Sequence, residues 1–224
     1  MLAAALGSCA PGVPPEAAAV AIPTIGQPAD FPAADYRRAE AAGHRVLRID
    51  PAQSLIAVDV RRDGILARLG HDHVVASHDV HGYVDLDAGR ADFYLALAQL
   101  VVDEPELRDA AGFSPQPEEA AIAGTRRNML TRVLDAGRFP FAVIAVRRSE
   151  PDATMLQVAI TLQGATRHFT VPVQVDTRAD GIAVAGTLDF RQTDFGIVPL
   201  TALNGALQVA DRLDLRFRIV ARRG

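Results

Sequence analysis

An all-β domain is the fold class that the sequence predicts, and two patterns support it. Several runs alternate apolar and polar side chains with the period of two expected of strands that bury one sheet face. Short segments that contain Gly or Asp separate these runs, as turns between strands do. The chain has 224 residues, of which 49% are hydrophobic, so it can bury a core without a second domain.

The central pattern is a series of three runs between Met155 and Arg191. The turns Gln163–Thr166 and Ala179–Gly181 separate the runs, which predicts an antiparallel meander. Pro172 lies on the polar phase of the second run. Because proline has no N–H, this position indicates an edge strand, a bulge or a place where the N–H would face solvent.

The remaining elements follow the same logic along the chain. A short helix is predicted from Asp30 to Ala42, with Gly43 ending it, and a polar surface connection from Glu104 to Glu118. Gly124 to Ala136 has apolar residues at helical spacing and is predicted to be the main helix. Further strands are predicted within Arg45–Ile49, Leu55–Arg61, Val80–Leu86, Phe93–Leu97, Phe141–Val146 and Leu213–Ile219. A set of about eight or nine strands can form a two-sheet sandwich or a closed barrel, and alternation alone does not choose between them.

Four parts of the sequence carry specific motifs: Arg48–Ser54, Thr125–Leu130 before Phe139–Pro140, Leu162–Arg167 with Val171–Val173, and Phe190–Pro199, which continues to Leu203–Gly205 and Val209–Asp211. These motifs resemble those of the YceI-like lipid-binding family. The resemblance implies an extended antiparallel eight-stranded, lipocalin-like barrel with one main α-helix between strands. It also implies an apolar interior that takes a long isoprenoid chain. The helix is then expected to close one end of the barrel.

Within such a barrel, the inward rows are expected to line a lipid-binding cavity. Gly186 lies in the middle of one inward row, so the ligand is predicted to pass over it at close approach. The predicted lining consists of Ile65, Leu69, Leu156, Val158, Ile160, Phe169, Val171, Val173, Val184, Gly186, Leu188 and Phe190.

Four of the six histidines lie between Ile65 and Gly82. If the strand that begins at Ile65 continued unbroken, His71 and His73 would share a face, a spacing that suits a zinc or copper ligand pair. The alternative is a turn at the rim whose histidines are partnered by Asp72 or Asp79. A metal- or haem-linked protein that uses these two histidines is therefore one alternative function, and a filled barrel that serves as a surface interaction module is another.

Composition and motifs argue against other classes of protein. The formal net charge is −4 and the basic residues are scattered, which argues against a nucleic-acid partner. The sequence has no Gly-x-Ser-x-Gly, phosphate-loop or His-Glu-x-x-His motif, and its one cysteine is Cys9. We therefore expect a protein that binds a ligand rather than an enzyme, with no cofactor other than the bound isoprenoid lipid.

The N-terminal segment ends in Leu6-Gly7-Ser8-Cys9, which resembles a bacterial lipobox. Residues 1–9 are therefore expected to be a truncated signal segment whose Cys9 is lipidated, with a start codon placed too late. The alternative is an alanine-rich leader in which the motif is accidental. Residues 10–43 are expected to be a Pro/Ala-rich linker with the short helix, and residues 44–222 the YceI-like barrel domain. A periplasmic or outer-membrane-anchored lipoprotein follows from this expectation, with Cys9 as its only attachment to the membrane.

Overall fold

The computed structural model describes residues 26–150 and 154–224. These residues form three α-helices, α1 (Ala33–Ala41), α2 (Pro105–Ala111) and α3 (Glu119–Asn128), and α3 continues directly into a π-helical turn, Met129–Val133. The strands are β1 (Val46–Ile49), β2 (Leu55–Val60), β3 (Arg62–Asp63), β4 (His73–Ser77), β5 (Val80–Asp85), β6 (Arg90–Ala96), β7 (Val101–Val102), β8 (Phe141–Arg147), β9 (Met155–Leu162), β10 (Ala165–Thr177), β11 (Gly181–Arg191), β12 (Thr201–Ala202), β13 (Leu207–Val209) and β14 (Arg212–Arg222).

The main sheet closes into an antiparallel barrel of eight strands. Its order is β1-β5-β6-β8-β9-β10-β11-β14, and β14 pairs with β1 to complete the circle. The pairs Arg48↔Arg222 and Val46↔Asp85 place β1 between β14 and β5. Closure pairs the backbone N–H and C=O groups that the edge strands of an open sheet would expose. The predicted eight-stranded barrel with a helix between strands is confirmed.

A 3-10 turn at Pro51–Gln53 bends the first strand of the barrel. The Asp50 side chain accepts a hydrogen bond from the Ala52 N–H at 3.1 Å and caps this turn. Beyond the turn, β2 pairs with the first half of β14, as in Leu215↔Val58. The other side of β2 pairs with β4, and β4 pairs with β7, so these three strands extend the barrel wall beyond the point where β1 closes it.

The chain between β3 and β4 does not continue as a strand. It forms a loop with a 3-10 turn at Ala67–Leu69, and β3 pairs with β13 in a separate three-stranded sheet. Ile65 is 88% exposed and Leu69 58% exposed. The predicted inward row that began at Ile65 is therefore wrong, because the chain turns before it reaches His71 and strand pairing resumes only at His73.

The helices differ from the expected set in two places. The helix α1 matches the predicted short helix, and Tyr36 at its centre is fully buried. The expected polar connection contains α2, which begins with Pro105 at its first turn and ends at Gly112 in the left-handed conformation. The main helix begins at Glu119, five residues before the predicted Gly124. No helix within residues 26–150 and 154–224 is long and apolar enough to cross a membrane.

Candidate functional site

Two apolar cavities lie in series inside the barrel. The first has a volume of about 160 Å³ and the second about 290 Å³. Four side chains line both cavities and mark the junction between them: Ile56, Ile144, Ile160 and Leu215. Because these residues come from β2, β8, β9 and β14, the junction is a cross-section of the barrel, and the cavities follow its axis.

The first cavity lies among the strands of the central meander. Seven of the residues predicted to line a cavity are in its wall: Leu156, Val158, Ile160, Val171, Val173, Val184 and Leu188. Their alternation places them on the inner face of β9, β10 and β11, and their outward neighbours, such as Gln157 and Gln174, are exposed. Phe217 on β14 also lines this cavity.

The predicted contact between ligand and Gly186 is not what the structure shows. Gly186 pairs with Phe217 across the β11–β14 ladder, and a Cβ atom at Gly186 would lie 2.9 Å from Cζ of Phe217. The ring of Phe217 therefore covers Gly186, and neither cavity includes this glycine in its lining. The missing side chain makes room for a protein side chain rather than for a ligand.

Three phenylalanines pack at the end of β11. The ring centroids of Phe190 and Phe195 are 5.6 Å apart, and Phe169 lies 6.4 Å from each of them. Phe190 and Phe195 line the second cavity, whereas Phe169 lies behind them. Phe169 thus supports the wall of the cavity without being part of its lining.

The helix α3 and the π-helical turn after it form the floor of the second cavity. Their contribution comes from Thr125, Asn128, Met129 and Val133, with Leu134 directly after them. This arrangement matches the expected helix that closes one end of the barrel. The wall that contacts α3 includes the alternate residues His73, Val75 and Ser77 of β4, so His73 points inward.

His73 is held in place by a buried ion-pair network. Its Nδ1 atom lies 2.6 Å from Oδ2 of Asp103, whose side chain is fully buried. Asp103 Oδ1 accepts hydrogen bonds from the Val74 N–H at 3.0 Å and from Arg108 Nη1 at 2.7 Å. Burial raises the pKa of Asp103, but the hydrogen bonds from His73, Val74 and Arg108 outweigh this effect and hold the pKa below its usual value.

The sequence matches the model of the YceI-like domain over residues 47–221. The chain belongs to the YceI-like family. This match runs from Leu47 in β1 to Ala221 in β14 and so covers all but the first and last residues of the barrel strands. Comparison of the sequence with curated proteins gives no match.

Solved structures share the YceI-like fold at low sequence identity. A polyisoprenoid-binding domain from Saccharophagus degradans, implicated in plant cell wall breakdown, superposes with a TM-score of 0.58 at 11% identity. The alignment covers 81% of this chain and 99% of that one. BcnA from Burkholderia cenocepacia gives a TM-score of 0.51 at 14% identity, with coverage of 77% of this chain and 98% of that one.

The two histidines proposed as a metal pair are not arranged as one in this YceI-like chain. His71 lies in the loop before β4 and is exposed, and its ring centroid is 6.3 Å from that of His73. Both ring nitrogens of His73 face protein atoms, Asp103 Oδ2 at 2.6 Å and Thr125 Oγ1 at 3.4 Å. Across the described ranges 26–150 and 154–224, no three His, Cys, Asp or Glu side chains are grouped as metal ligands. The partner of His73 is also neither Asp72 nor Asp79, the two carboxylates that the sequence suggested.

The far end of the first cavity carries a second polar cluster. Asp85 accepts a hydrogen bond from the Ala88 N–H at 2.9 Å and lies 3.0 Å from His44 Nδ1 and 3.9 Å from Arg90 Nε. Burial raises the pKa of Asp85, but the Ala88 N–H, His44 and Arg90 together hold it below its usual value. The Arg90 guanidinium also lies 4.5 Å from the centre of the Tyr36 ring, a cation–π distance.

Sequence reasoning missed two kinds of site residue. The junction residues lie on predicted strands, but their common depth in the barrel depends on the register between strands that are far apart in the chain. The polar wall depends on Asp103, which follows β7 and lies 30 residues from His73. One available signal was Thr125 within the predicted helix, because a helix that covers the barrel end brings its inward side chains to the cavity.

Proposed function

We propose that this YceI-like chain binds one long, apolar, isoprenoid-type lipid inside its barrel and catalyses no reaction on it. The observation that carries the proposal is the pair of apolar cavities that meet at Ile56, Ile144, Ile160 and Leu215 and follow the barrel axis. An elongated apolar space suits a flexible chain better than a compact ligand. The similar Saccharophagus degradans domain is described as polyisoprenoid-binding, which supports the same ligand class.

The energy of such binding comes from the aliphatic lining. Each methylene that moves from water into an apolar site contributes about 0.8 kcal/mol before the cost of ordering the chain. Most of the lining of the first cavity is Ile, Val and Leu, whose side chains offer contact area without competing hydrogen bonds. A chain of several isoprene units can therefore bind with little polar recognition.

Absence of catalysis is supported by the sequence and by the state of the polar groups near the cavities. The nucleophile and metal motifs considered above are missing from the sequence. Asp85 lines the first cavity and Asp103 is bonded to His73 in the wall of the second, and each of these buried carboxylates is paired with an arginine and accepts a hydrogen bond from a backbone N–H group. Such carboxylates suit an ion-pair role better than proton transfer.

Location in the bacterial cell envelope is the second part of the proposal. It rests on the Leu6-Gly7-Ser8-Cys9 sequence, which lies outside the described residues, as does the segment of residues 10–25. Lipidation of Cys9 would attach the barrel to a membrane through the Pro/Ala-rich linker. Expression in a bacterial host with the upstream codons included, followed by detergent partitioning, tests this part. Wild-type protein is expected in the detergent phase and Cys9→Ser protein in the aqueous phase; wild-type protein that stays aqueous and keeps Met1 contradicts it.

The ligand itself is tested by extraction. Protein purified from its native host without detergent is treated with an organic solvent, and the extract is analysed by mass spectrometry. We expect an isoprenoid lipid in substantial molar proportion to the protein. An extract that contains no lipid would favour the interaction-module function, and a metal found by elemental analysis would favour the histidine site.

A further inference from the structure

The second cavity has a polar patch in an otherwise apolar wall. Its polar side chains are Ser77, Gln192, His73, Thr125 and Asn128. Two of them are engaged elsewhere, because Ser77 Oγ accepts from the Asp79 N–H at 3.3 Å and Gln192 Nε2 donates to the Ala210 carbonyl at 2.8 Å. The other three form one group, which we call the polar patch: His73 on β4, with Thr125 and Asn128 one turn apart on α3.

Asp103 fixes the orientation of the His73 ring. Asp103 is a carboxylate and can only accept hydrogen bonds, so Nδ1 of His73 carries the proton that lies between them at 2.6 Å. Arg108 holds the other oxygen of Asp103 at 2.7 Å. Nε2, the second ring nitrogen, then lies on the cavity side of the ring and faces Thr125.

That nitrogen is poorly satisfied by the protein. The nearest group is Thr125 Oγ1 at 3.4 Å, whereas hydrogen bonds from hydroxyl groups are usually about 2.5–3.0 Å long. His73 Nε2 and Thr125 Oγ1 therefore face the cavity with hydrogen-bonding capacity to spare. A hydroxyl group can both donate and accept, so a ligand hydroxyl placed between them could bond to both atoms.

We propose that the polar patch binds the head of the lipid, and that it selects an uncharged head with a hydroxyl group, as in an isoprenoid alcohol. The inference rests on the proposed function, because it needs the apolar chain inside the barrel. It also gives the ligand a direction: the head lies at the helix end, and the tail passes the junction at Ile160 into the first cavity. Selection arises because a hydroxyl buried without a partner loses its bonds to water, whereas one at the polar patch regains them.

The opposite end of the cavities offers different chemistry. Arg90 lines the first cavity there and its Nε is buried without a hydrogen-bond partner, 3.9 Å from Asp85. A phosphorylated head would be drawn to this arginine and away from the polar patch, because no arginine or lysine is among the described residues that line the second cavity. The two orientations can therefore be told apart by the head group that each prefers.

Competition binding against one fluorescent apolar probe tests the proposal. The ligands are farnesol, the hydrocarbon of the same chain length, and farnesyl phosphate. The variants are Thr125→Val, which keeps the shape of the side chain and removes its hydroxyl, and His73→Leu. The control is His81→Leu, because His81 is also bonded to a carboxylate, Asp79 at 2.6 Å, but lies half-exposed on the outer face of β5.

The measured quantity is the ratio of farnesol affinity to hydrocarbon affinity. We expect Thr125→Val and His73→Leu each to lower this ratio about three- to tenfold, the usual worth of one hydrogen bond, and His81→Leu to leave it unchanged. If the ratio of farnesol affinity to hydrocarbon affinity is the same in wild type and in all three variants, the head-group proposal is wrong, although lipid binding itself is not contradicted.

Two other outcomes are distinct. If wild-type protein binds neither farnesol nor the hydrocarbon, the proposed function fails and the head-group site fails with it. If farnesyl phosphate binds more tightly than farnesol, and Arg90→Gln removes this preference while Thr125→Val does not, the head lies at the opposite end and the inference is wrong.

Discussion

The ring of Phe217 lies directly over Gly186 on the neighbouring strand. A Cβ atom at Gly186 would be 2.9 Å from Cζ of Phe217 and 2.7 Å from the carbonyl oxygen of Pro172. The backbone oxygen cannot move without disturbing the β10–β11 ladder, which begins at Val173↔Gly186. The glycine is therefore needed for packing of the barrel wall.

Gly186→Ala is expected to lower the free energy of unfolding by about 1–3 kcal/mol, because the added methyl group overpacks the wall. Denaturant unfolding of the purified variant measures this. Gly124→Ala is the matched control, since its Cβ would meet only Arg127 Nη2, at 3.9 Å, on the helix α3. That variant is expected to be more stable by up to about 1 kcal/mol through helix propensity. A Gly186→Ala protein as stable as wild type would show that Phe217 does not fill this space.

The buried Asp103 should make stability depend on pH in the acid range. Its pKa is lowered in the folded protein, so its stabilising effect is fully present above the unfolded value of about 4 and is lost as pH falls through the lower folded value. At pH near 7, Asp103→Asn is expected to cost about 3 kcal/mol, because Arg108 loses its buried partner. The difference in unfolding free energy between wild type and Asp103→Asn should shrink between about pH 5 and pH 2.

Asp109→Asn is the control for this experiment, because Asp109 is an exposed carboxylate on α2. It is expected to have the same acid dependence as wild type. If the difference in unfolding free energy between wild type and Asp103→Asn stays constant across the acid range, Asp103 does not titrate as the ion-pair network requires.

Chain length should control affinity more strongly than the head group. Each additional methylene in the barrel contributes up to about 0.8 kcal/mol, whereas one head-group hydrogen bond contributes about 1 kcal/mol in total. A series of isoprenoid alcohols of increasing length, titrated into the wild-type protein, is expected to bind progressively more tightly until both cavities are filled. Affinity that is independent of length would place the ligand outside the cavities.

Chelation is expected to leave the melting temperature unchanged. The reason is that His71 lies on the exposed loop before β4, away from the buried pair of His73 and Asp103, and no three metal-ligating side chains are grouped in the described part of the chain. The melting temperature is measured with and without a chelator, and the metal content of the purified protein is measured by elemental analysis. A lower melting temperature with chelator would show a metal that binds the native state preferentially and would restore the alternative of a metal-linked protein.

Much of the fold could be predicted from the sequence because alternation is a local property. The meander of β9, β10 and β11 lies where the pattern places it, and Gln163 and Gly164 take the positive φ angles of 50° and 76° that its tight turn requires. Pro172 is informative in the same way. It does not lie on an edge strand; it lies immediately before the first β10–β11 pair, Val173↔Gly186, where its missing N–H costs no bond in that ladder.

The errors arose where local pattern and long-range pairing disagree. The row from Ile65 to His73 alternates as a strand does, but the backbone of this segment bonds to the β13 hairpin, as in the Leu66 N–H to the Ala206 carbonyl at 2.8 Å. The space above Gly186 was assigned to a ligand because the sequence does not show that Phe217 lies opposite it. In both cases the residue that determines the local structure, Ala206 or Phe217, lies more than 30 residues away along the chain. The alternation of apolar and polar residues within one segment carries no information about such a distant partner.

The most direct test of the central claim is a titration with a long isoprenoid alcohol after substitution at the cavity junction. Ile160→Phe places a larger side chain where the two cavities meet, and Gln157→Phe places the same side chain on the exposed outer face of the same strand. We expect Ile160→Phe to weaken binding of the long alcohol at least tenfold and to weaken binding of a short alcohol that fits the second cavity much less, and Gln157→Phe to change neither. Unchanged binding of the long alcohol by folded Ile160→Phe protein would contradict a ligand that runs along the barrel axis.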